Sequence, residues 1–152
     1  MSEENSEVVW RLPEPLSVRS VAVDEETSIL VRRHGDPDGL RLVFSHGSGL
    51  AADLYYPYWS LLTDEFDVIV YDLRNHGWNE ATALNNHNVP TLITDHDRIM
   101  RSIDAIFGEK PKVGVFHSLS ALVSLLSPLN GSPFDAGWEE ARGAGRCHCS
   151  PL

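Results

Sequence analysis

KVGVFHSLSAL, the stretch at residues 112–122, is the part of the sequence that decides the expected fold. A short apolar run leads into Ser118, and an apolar helical pattern begins directly after it. A strand that turns sharply into a helix is the arrangement by which a fold exposes a serine hydroxyl as a nucleophile. Ser118 is therefore the candidate nucleophile of a serine hydrolase.

Such a sharp bend favours small residues two positions before and two positions after the nucleophile. Ser120 meets this requirement, whereas Phe116 is large. We expect either local repacking around the phenyl ring or a less acute bend. His117 is expected to line the binding site as a packing residue rather than to act as the base.

Strand and helix patterns alternate along the rest of the chain. Apolar or alternating runs predict strands at residues 16–23, 28–33, 40–45, 68–71 and 113–116. Helical spacing predicts helices at residues 51–63, 91–107 and 119–126. The first is expected to be interrupted or restarted at Pro57, and the second to be capped by Thr91 or Thr94. Turn residues between the first two strands predict an antiparallel hairpin. The later strands are apolar on both faces, which predicts an α/β fold whose mostly parallel sheet carries helices on both sides.

Composition places the chain among globular proteins and limits its partners. The 152 residues suit one domain, with 42% hydrophobic and 22% charged residues and a net charge of −10. That charge repels phosphate backbones and anionic lipids, so we expect neither a nucleic acid nor a membrane as partner. The acidic N-terminus, the lack of a membrane-length apolar run and the cysteine-free body predict a cytoplasmic location.

No pattern in the sequence indicates a cofactor or a metal. A phosphate-binding glycine loop is missing, which argues against a nucleotide cofactor. Cys147-His148-Cys149 has the residue types of metal ligands but not the spacing of a closed site. Asp95-His96-Asp97 falls on a predicted helix, where adjacent side chains point apart.

The turn His46-Gly47-Ser48-Gly49 follows the third predicted strand. A backbone loop at this position can aim an N–H group at a developing oxyanion. Ser48 would supply the first donor through its main chain, and the N–H of Leu119, at a helix start, the second. His46 and Gly47 are the expected binding residues of this turn. The alternative is a glycine-rich connection with no catalytic role.

Three motifs in series resemble the α/β-hydrolase superfamily: LRLVFSHGSG, then VIVYDLRNHGWN, then KVGVFHSLSAL. The resemblance covers about residues 16–136. It implies that Ser118 is the nucleophile, that Ser48 and Leu119 are the oxyanion donors, and that the substrate is a carboxylic ester or a related small acyl compound. It also implies that four residues shape the turn after the fourth strand: Asp72, Arg74, His76 and Gly77. None of the four is assigned to the catalytic triad of nucleophile, acid and histidine. A dehalogenase with an aspartate nucleophile is disfavoured because a serine stands at that position.

The sequence departs from the family after the nucleophile, where the acid and the histidine should follow on later strands. Residues 134–136 look like the start of a sixth strand, and residues 137–152 read as an irregular tail, just as residues 1–15 read as a flexible lead-in. The order Ser118, Asp135, His148 exists, but separations of 17 and 13 residues are too short for βαβ steps.

Two hypotheses therefore stand side by side. One is a serine hydrolase. The other is a truncated or frame-shifted fragment that is catalytically incomplete, because the acid and the histidine of the triad are missing. Such a fragment would be inactive, or would only self-associate through an exposed fifth strand.

Overall fold

Residues 11–127, the part of the chain that the computed structural model describes, contain a mixed α/β arrangement. The strands are β1 (Ser17–Ala22), β2 (Ser28–Gly35), β3 (Leu40–Ser45), β4 (Phe66–Tyr71) and β5 (Lys112–Phe116). The helices are α1 (Tyr56–Trp59), α2 (Val89–Phe107) and α3 (Leu119–Leu126). Short 3₁₀ turns lie at Ala52–Tyr55, Ser60–Leu62 and Leu84–Asn86.

The five strands form one sheet in the order β1-β2-β4-β3-β5. β1 pairs with β2 in antiparallel fashion, and β2 pairs with β4 in the same way. β3 runs parallel to both β4 and β5. The predicted hairpin is confirmed, and the sheet is mixed, with β3, β4 and β5 forming its parallel part as predicted. Because parallel strands end at the same edge of a sheet, the turns after β3, β4 and β5 lie side by side, with the β3 turn in the middle.

Alternate side chains of the central strands enter two different cores. Ile69 and Tyr71 of β4 face α2 and α3, whereas Val68 and Val70 face the segment around α1. On the α1 side, Trp59 is fully buried against β3 and β4. Burying a large apolar side chain contributes roughly 1.5–3 kcal/mol, so both layers stabilise the sheet. The prediction of helices on both faces is confirmed.

Helix α2 begins earlier than its hydrophobic pattern indicates. Asn88 is the cap, and its Oδ1 accepts a hydrogen bond from the N–H of Thr91 at 3.0 Å. Pro90 occupies the first turn, where its missing N–H has no cost. The prediction of Thr91 or Thr94 as the cap is therefore wrong. Asn88 precedes both threonines, and its side-chain oxygen accepts the hydrogen bond that the first-turn N–H of Thr91 would otherwise lack.

The predicted helical segment at residues 51–63 is interrupted around Pro57, as expected. A single α-turn at Tyr56–Trp59 lies between two 3₁₀ turns, with Pro57 at its start. Proline fixes φ and lacks a backbone donor, so the segment restarts there instead of continuing as one regular helix.

A buried ion network joins the opposite end of the sheet to α2. Asp67 of β4 accepts hydrogen bonds from Arg33 Nε at 2.6 Å and from Arg41 Nε at 2.9 Å. Arg41 is fully buried and also donates to the carbonyls of Phe107 and Gly108, at 3.1 and 2.7 Å. It therefore satisfies the last carbonyls of α2 and fixes that helix on the sheet.

Several sequence predictions lie outside the described residues. They concern the lead-in before residue 11, the start of a sixth strand at residues 134–136, and the tail at residues 137–152 with Cys147, His148 and Cys149. Within residues 11–127, no helix has both the length and the apolar character that crossing a bilayer requires.

The fold should lose stability in acid through His34. This side chain is buried against Trp59, with the ring centroids 4.7 Å apart, and burial followed by the charge of Arg32 lowers its pKa to about 4. Between pH 6.5 and pH 4, His34 binds a proton in the unfolded chain but not in the folded chain. The free energy of unfolding therefore falls as the pH is lowered, by on the order of 3 kcal/mol in all. We expect His34→Leu to reduce this loss in urea unfolding at pH 7.5 and pH 5.

His117→Gln, which changes an exposed histidine, is the matched control and should keep the wild-type difference between the two pH values. An equal loss of stability in the wild type and in His34→Leu would contradict the assignment.

Candidate active site

Ser118 lies at a sharp corner between β5 and α3. Its backbone has φ 52° and ψ −111°, and within residues 11–127 only Asn75 shares a positive φ among non-glycine residues. A non-glycine residue in such a sparsely populated region costs of order 1–3 kcal/mol and persists only where its surroundings hold it. The side chain is exposed, and no hydrogen bond joins its hydroxyl to any described residue. The corner therefore presents the hydroxyl to solvent.

Ser120 closes this corner from below. Its side chain is fully buried, and its Oγ accepts from the N–H of His117 and donates to the carbonyl of the same residue, each at 3.1 Å. The small residue expected two positions after the serine thus also acts as a clamp on the backbone before it.

The bulky Phe116 is accommodated by a glycine two residues earlier. A Cβ on Gly114 would lie 2.3 Å from Cε2 of the phenyl ring, so the ring covers the position that any other residue would fill. The ring edge also packs on His96, with the centroids 5.2 Å apart. Of the two expectations for Phe116, the structure shows local repacking, and Ser118 keeps its positive φ.

The turn at residues 46–49 lies directly against the corner. A Cβ on Gly47 would lie 3.1 Å from Cβ of Ser118 and 3.0 Å from Nδ1 of His117, so the absence of a side chain permits the close approach. Ser48 is exposed next to it. Neither its N–H nor that of Leu119 finds an acceptor in the described part of the chain. Two unpaired amides beside a serine corner are what an oxyanion site requires, although the donor roles of both remain predictions.

Tyr55 joins the two parts of the site. Its hydroxyl is 2.7 Å from Nδ1 of His117 and accepts from the N–H of Gly47 at 3.4 Å. No motif points to Tyr55, because it lies in an aromatic run, residues 55–59, whose pattern predicts only a helix. The contact gives His117 a fixed position at the rim, where it is exposed.

An apolar cavity of about 80 Å³ opens beside the corner. Its walls come from the ends of β3 and β5 and from the aromatic segment that includes Tyr55 and Tyr58, with His117 at the margin. Its volume is well below the roughly 300–1,000 Å³ of most ligand pockets, so it has room for only a small apolar group.

The third turn, after β4, is organised by the buried carboxylate of Asp72. Its Oδ1 accepts from the N–H of Ala52 at 2.7 Å, and its Oδ2 accepts from Arg32 at 3.0 Å. A Cβ on Gly77 (φ 53°) would lie 2.2 Å from the carboxylate carbon, so only glycine fits there. Arg32, which belongs to no recognisable motif, also pairs with Asp53. As expected, Asp72 and Gly77 shape this turn.

Arg74 fixes the turn from outside the site. It forms a two-point ion pair with Asp95 of α2, at 2.6 and 2.7 Å, and donates to Asp24 at 2.9 Å. Burial acts to raise the pKa of Asp24, but the amide of Glu26 and the guanidinium of Arg74 outweigh it and lower that pKa to about 2. The carboxylate of Asp95 pairs with Arg74, whereas Nδ1 of the adjacent His96 is hydrogen-bonded to the hydroxyl of Tyr71 at 2.8 Å. These neighbouring side chains thus have separate partners.

His46 supports its turn from within. The ring is fully buried: Nδ1 donates to the carbonyl of Gly47 at 2.7 Å, and Nε2 accepts from the N–H of Leu73 at 3.0 Å. Burial lowers the pKa of His46, against the opposing influence of the Gly47 carbonyl and Asp72. Both ring nitrogens are engaged inside the protein, and the binding role expected of His46 stays a prediction.

A sequence model described as the alpha/beta hydrolase family matches residues 42–149. The chain belongs to this family. The match starts within β3, covers all three turns of the site and continues past residue 136, where the motif resemblance was expected to end. A comparison with curated proteins gives no match.

Solved α/β-hydrolase structures share the fold. The Cif epoxide hydrolase from Acinetobacter nosocomialis superposes with a TM-score of 0.63 at 20% identity, over 80% of this chain and 36% of its own. E-2-(acetamidomethylene)succinate hydrolase gives 0.61 at 23% identity, over 76% and 40%. Epoxide hydrolase VrEH1 from Vigna radiata gives 0.60 at 20% identity, over 74% and 35%. The chain thus spans two fifths or less of the length of these α/β hydrolases.

The glycine under the hydrolase corner should be coupled energetically to Phe116. Gly114→Ala forces the phenyl ring out of its place, and overpacking of this kind costs about 1–3 kcal/mol of stability. In a Phe116→Leu background the clashing ring atoms are gone, so the same alanine substitution should cost clearly less. Urea unfolding of the two single variants and the double variant measures this coupling. Additive costs would show that the ring does not lie over residue 114.

Proposed function

We propose that this chain carries the nucleophile and the oxyanion site of a serine hydrolase that acts on a carboxylic ester or a related acyl compound. One observation carries the proposal: Ser118 is exposed at a strained corner that ends a parallel strand, with the 46–49 turn packed against it. Strain of this kind persists where function requires it, and the serine corner of this family is the arrangement that uses it.

The proposed chemistry is acyl transfer. Oγ of Ser118 attacks the substrate carbonyl, and the carbonyl oxygen, which gains negative charge, accepts hydrogen bonds from the N–H groups of Ser48 and Leu119. The hydroxyl proton passes to a base, and this base later returns the proton to the leaving group. Within residues 11–127, no side chain makes a hydrogen bond to Oγ of Ser118, so the proposal assigns no residue to the base.

The cavity beside Ser118 narrows the substrate class. Aromatic and aliphatic walls favour an apolar group next to the scissile carbonyl, and the net charge of −10 disfavours polyanionic substrates. The structural neighbours include epoxide hydrolases and E-2-(acetamidomethylene)succinate hydrolase, which are hydrolases that differ in the substrate they are named for. A serine nucleophile favours the acyl bond, because the acyl-enzyme forms through its oxygen.

The alternative is a catalytically incomplete member of the family. The chain spans 35% and 40% of two of the solved structures that it matches, and in this family the acid and the histidine follow the nucleophile on later strands. Without its base, a serine of this type retains only the rate enhancement of the oxyanion donors and of binding, on the order of 10³–10⁴ over water. Turnover by this chain would then be slow or undetectable.

A fluorophosphonate probe separates the two possibilities. If the site works, the probe labels the wild-type protein and fails to label Ser118→Ala, because the probe needs an activated serine. Ser20→Ala, at an exposed position of β1 far along the sheet, is the matched control and should label like the wild type. Absence of labelling in protein that circular dichroism shows to be folded would favour the incomplete alternative.

We also propose that β5 pairs with a second copy of the chain. Within the described residues β5 has β3 as its single neighbour in the sheet, and Val113 on this edge is 48% exposed. An apolar strand edge of this kind promotes pairing between chains.

Val113→Lys should reduce the apparent mass in light scattering at high concentration. Leu125→Lys changes an equally apolar, 76% exposed side chain on α3 and should leave the mass unchanged if the strand edge is responsible.

A uniform monomer in the wild type at high concentration would refute edge pairing. Equal effects of Val113→Lys and Leu125→Lys would show general surface stickiness instead.

A further inference from the structure

Two histidines exchange hydrogen bonds between the neighbouring turns after β3 and β4. His46 belongs to the first turn, and its Nε2 accepts from the N–H of Leu73 in the second, at 3.0 Å. His76 belongs to the second turn, and its Nε2 accepts from the N–H of Gly49 in the first, at 3.2 Å. Each turn therefore anchors the backbone of the other through one imidazole ring.

The partners of these rings determine where their protons lie. Nδ1 of His46 faces the carbonyl of Gly47 at 2.7 Å, and Nδ1 of His76 faces the carbonyl of Arg74 at 2.8 Å. A carbonyl oxygen only accepts, so each Nδ1 must carry a hydrogen; each Nε2 receives an N–H and must present its lone pair. Both rings are thus neutral, with the hydrogen on Nδ1.

The far end of the first turn depends on one of these bonds. Gly49 has φ 73°, and a Cβ built there would meet no atom within 4 Å, so packing does not hold this residue. The bond from its N–H to His76 fixes it, together with the bond from Leu50 N–H to the Gly47 carbonyl at 3.2 Å. Ser48, the proposed oxyanion donor, lies between the two glycines.

We propose that His46 and His76 are positioning residues that hold the oxyanion turn only while both rings are neutral, so that acidification misplaces the N–H of Ser48 and lowers the reactivity of Ser118. The proposal rests on the proposed function for its effect on reactivity, but the paired hydrogen bonds exist independently of it. Protonation of His76 places a hydrogen on Nε2, opposite the N–H of Gly49. Two donors then face each other, and the bond to the turn is lost.

The charged and titratable groups around His46 and His76 have opposing effects on the protonation of these rings. Around His46 stand Asp72, with Oδ1 3.5 Å from Nε2, the guanidinium of Arg32 and the ring of His76 at 5.0 Å. Around His76 stand His46 and, on its other side, His87 at 5.5 Å. Asp72 favours protonation of His46, but Arg32 neutralises this carboxylate, and its Oδ1 already accepts from Ala52.

The two rings also oppose each other's protonation. A positive charge on one of them disfavours a positive charge on the other, 5.0 Å away. The first protonation therefore weakens one of the two supports, and the neutral ring on the other turn keeps its own bond.

The tautomers provide the direct test. Long-range ¹H–¹⁵N spectra of the ring nitrogens should show the Nδ1–H form for both His46 and His76 at neutral pH. The amide resonance of Gly49 should shift as the pH is lowered, and this shift should disappear in His76→Gln, whose amide oxygen keeps an acceptor near the turn but does not titrate. The Nε2–H form in either ring, or a Gly49 amide that does not respond in the wild type, would overturn the proposal.

Labelling against pH tests the consequence for reactivity. Between pH 7.5 and pH 5 we expect the fluorophosphonate labelling rate of the wild type to fall about tenfold to a hundredfold further than that of His76→Gln, the upper figure being the low end of the range for loss of one oxyanion donor. His87→Gln, which changes the adjacent histidine that makes no bond to the turn, should follow the wild type. Identical pH profiles for the wild type and His76→Gln would refute the positioning role.

Failure of the proposed function has a different signature. If no protein labels at any pH, the hydrolase assignment fails, and the spectra of His46, His76 and Gly49 still decide whether the two turns are held by neutral rings. If His76→Gln does not fold, the tautomers and the titration of the wild type alone decide the same question.

Discussion

The buried carboxylate of Asp72 holds together the edge of the sheet on which the site depends. It receives the N–H of Ala52 from the segment after β3 and a guanidinium N–H from Arg32 of β2, and it lies under Gly77 of its own turn. A buried charge without such partners would cost several kcal/mol, so the carboxylate is stable only where all of them meet it. Three separate segments are thereby forced into one arrangement, and the exchange of bonds between His46 and His76 occurs on that foundation.

The strand order of the sheet brings the three turns together into one site. Because β3 lies between β4 and β5, its turn touches the Asp72 turn on one side and the Ser118 corner on the other. The strained backbone of Ser118 needs support, since a conformation of order 1–3 kcal/mol above the usual regions relaxes wherever it can. The Ser120 side chain holds the backbone of His117 just before the corner, and Gly47, which has no side chain, packs closely beside Ser118. Strain, support and exposure of the hydroxyl are thus consequences of one packing arrangement.

The sequence predicts the strands and the serine corner well because apolar runs and glycine turns are local signals. Residues 40–45 and 119–126 begin and end as predicted. The supports are harder to predict, because each depends on a partner distant in sequence. Arg32 sits in an ordinary strand pattern, and its role appears only when Asp72, 40 residues later, is placed beside it. Gly114 reads as a weak position in a strand until the ring of Phe116 is found above it.

The geometry of the Ser118 corner does not depend on the presence of a catalytic base. The contacts that hold the corner and the neighbouring turn include the glycine of the β3 turn, the hydroxyl of Tyr55, the Ser120 side chain and the His46–His76 pair. None of these contacts depends on a proton acceptor for the serine. Under the proposed function, a base brought next to Ser118 would therefore need to add only that acceptor, because the exposed hydroxyl of Ser118 and the contacts that support its corner do not require it.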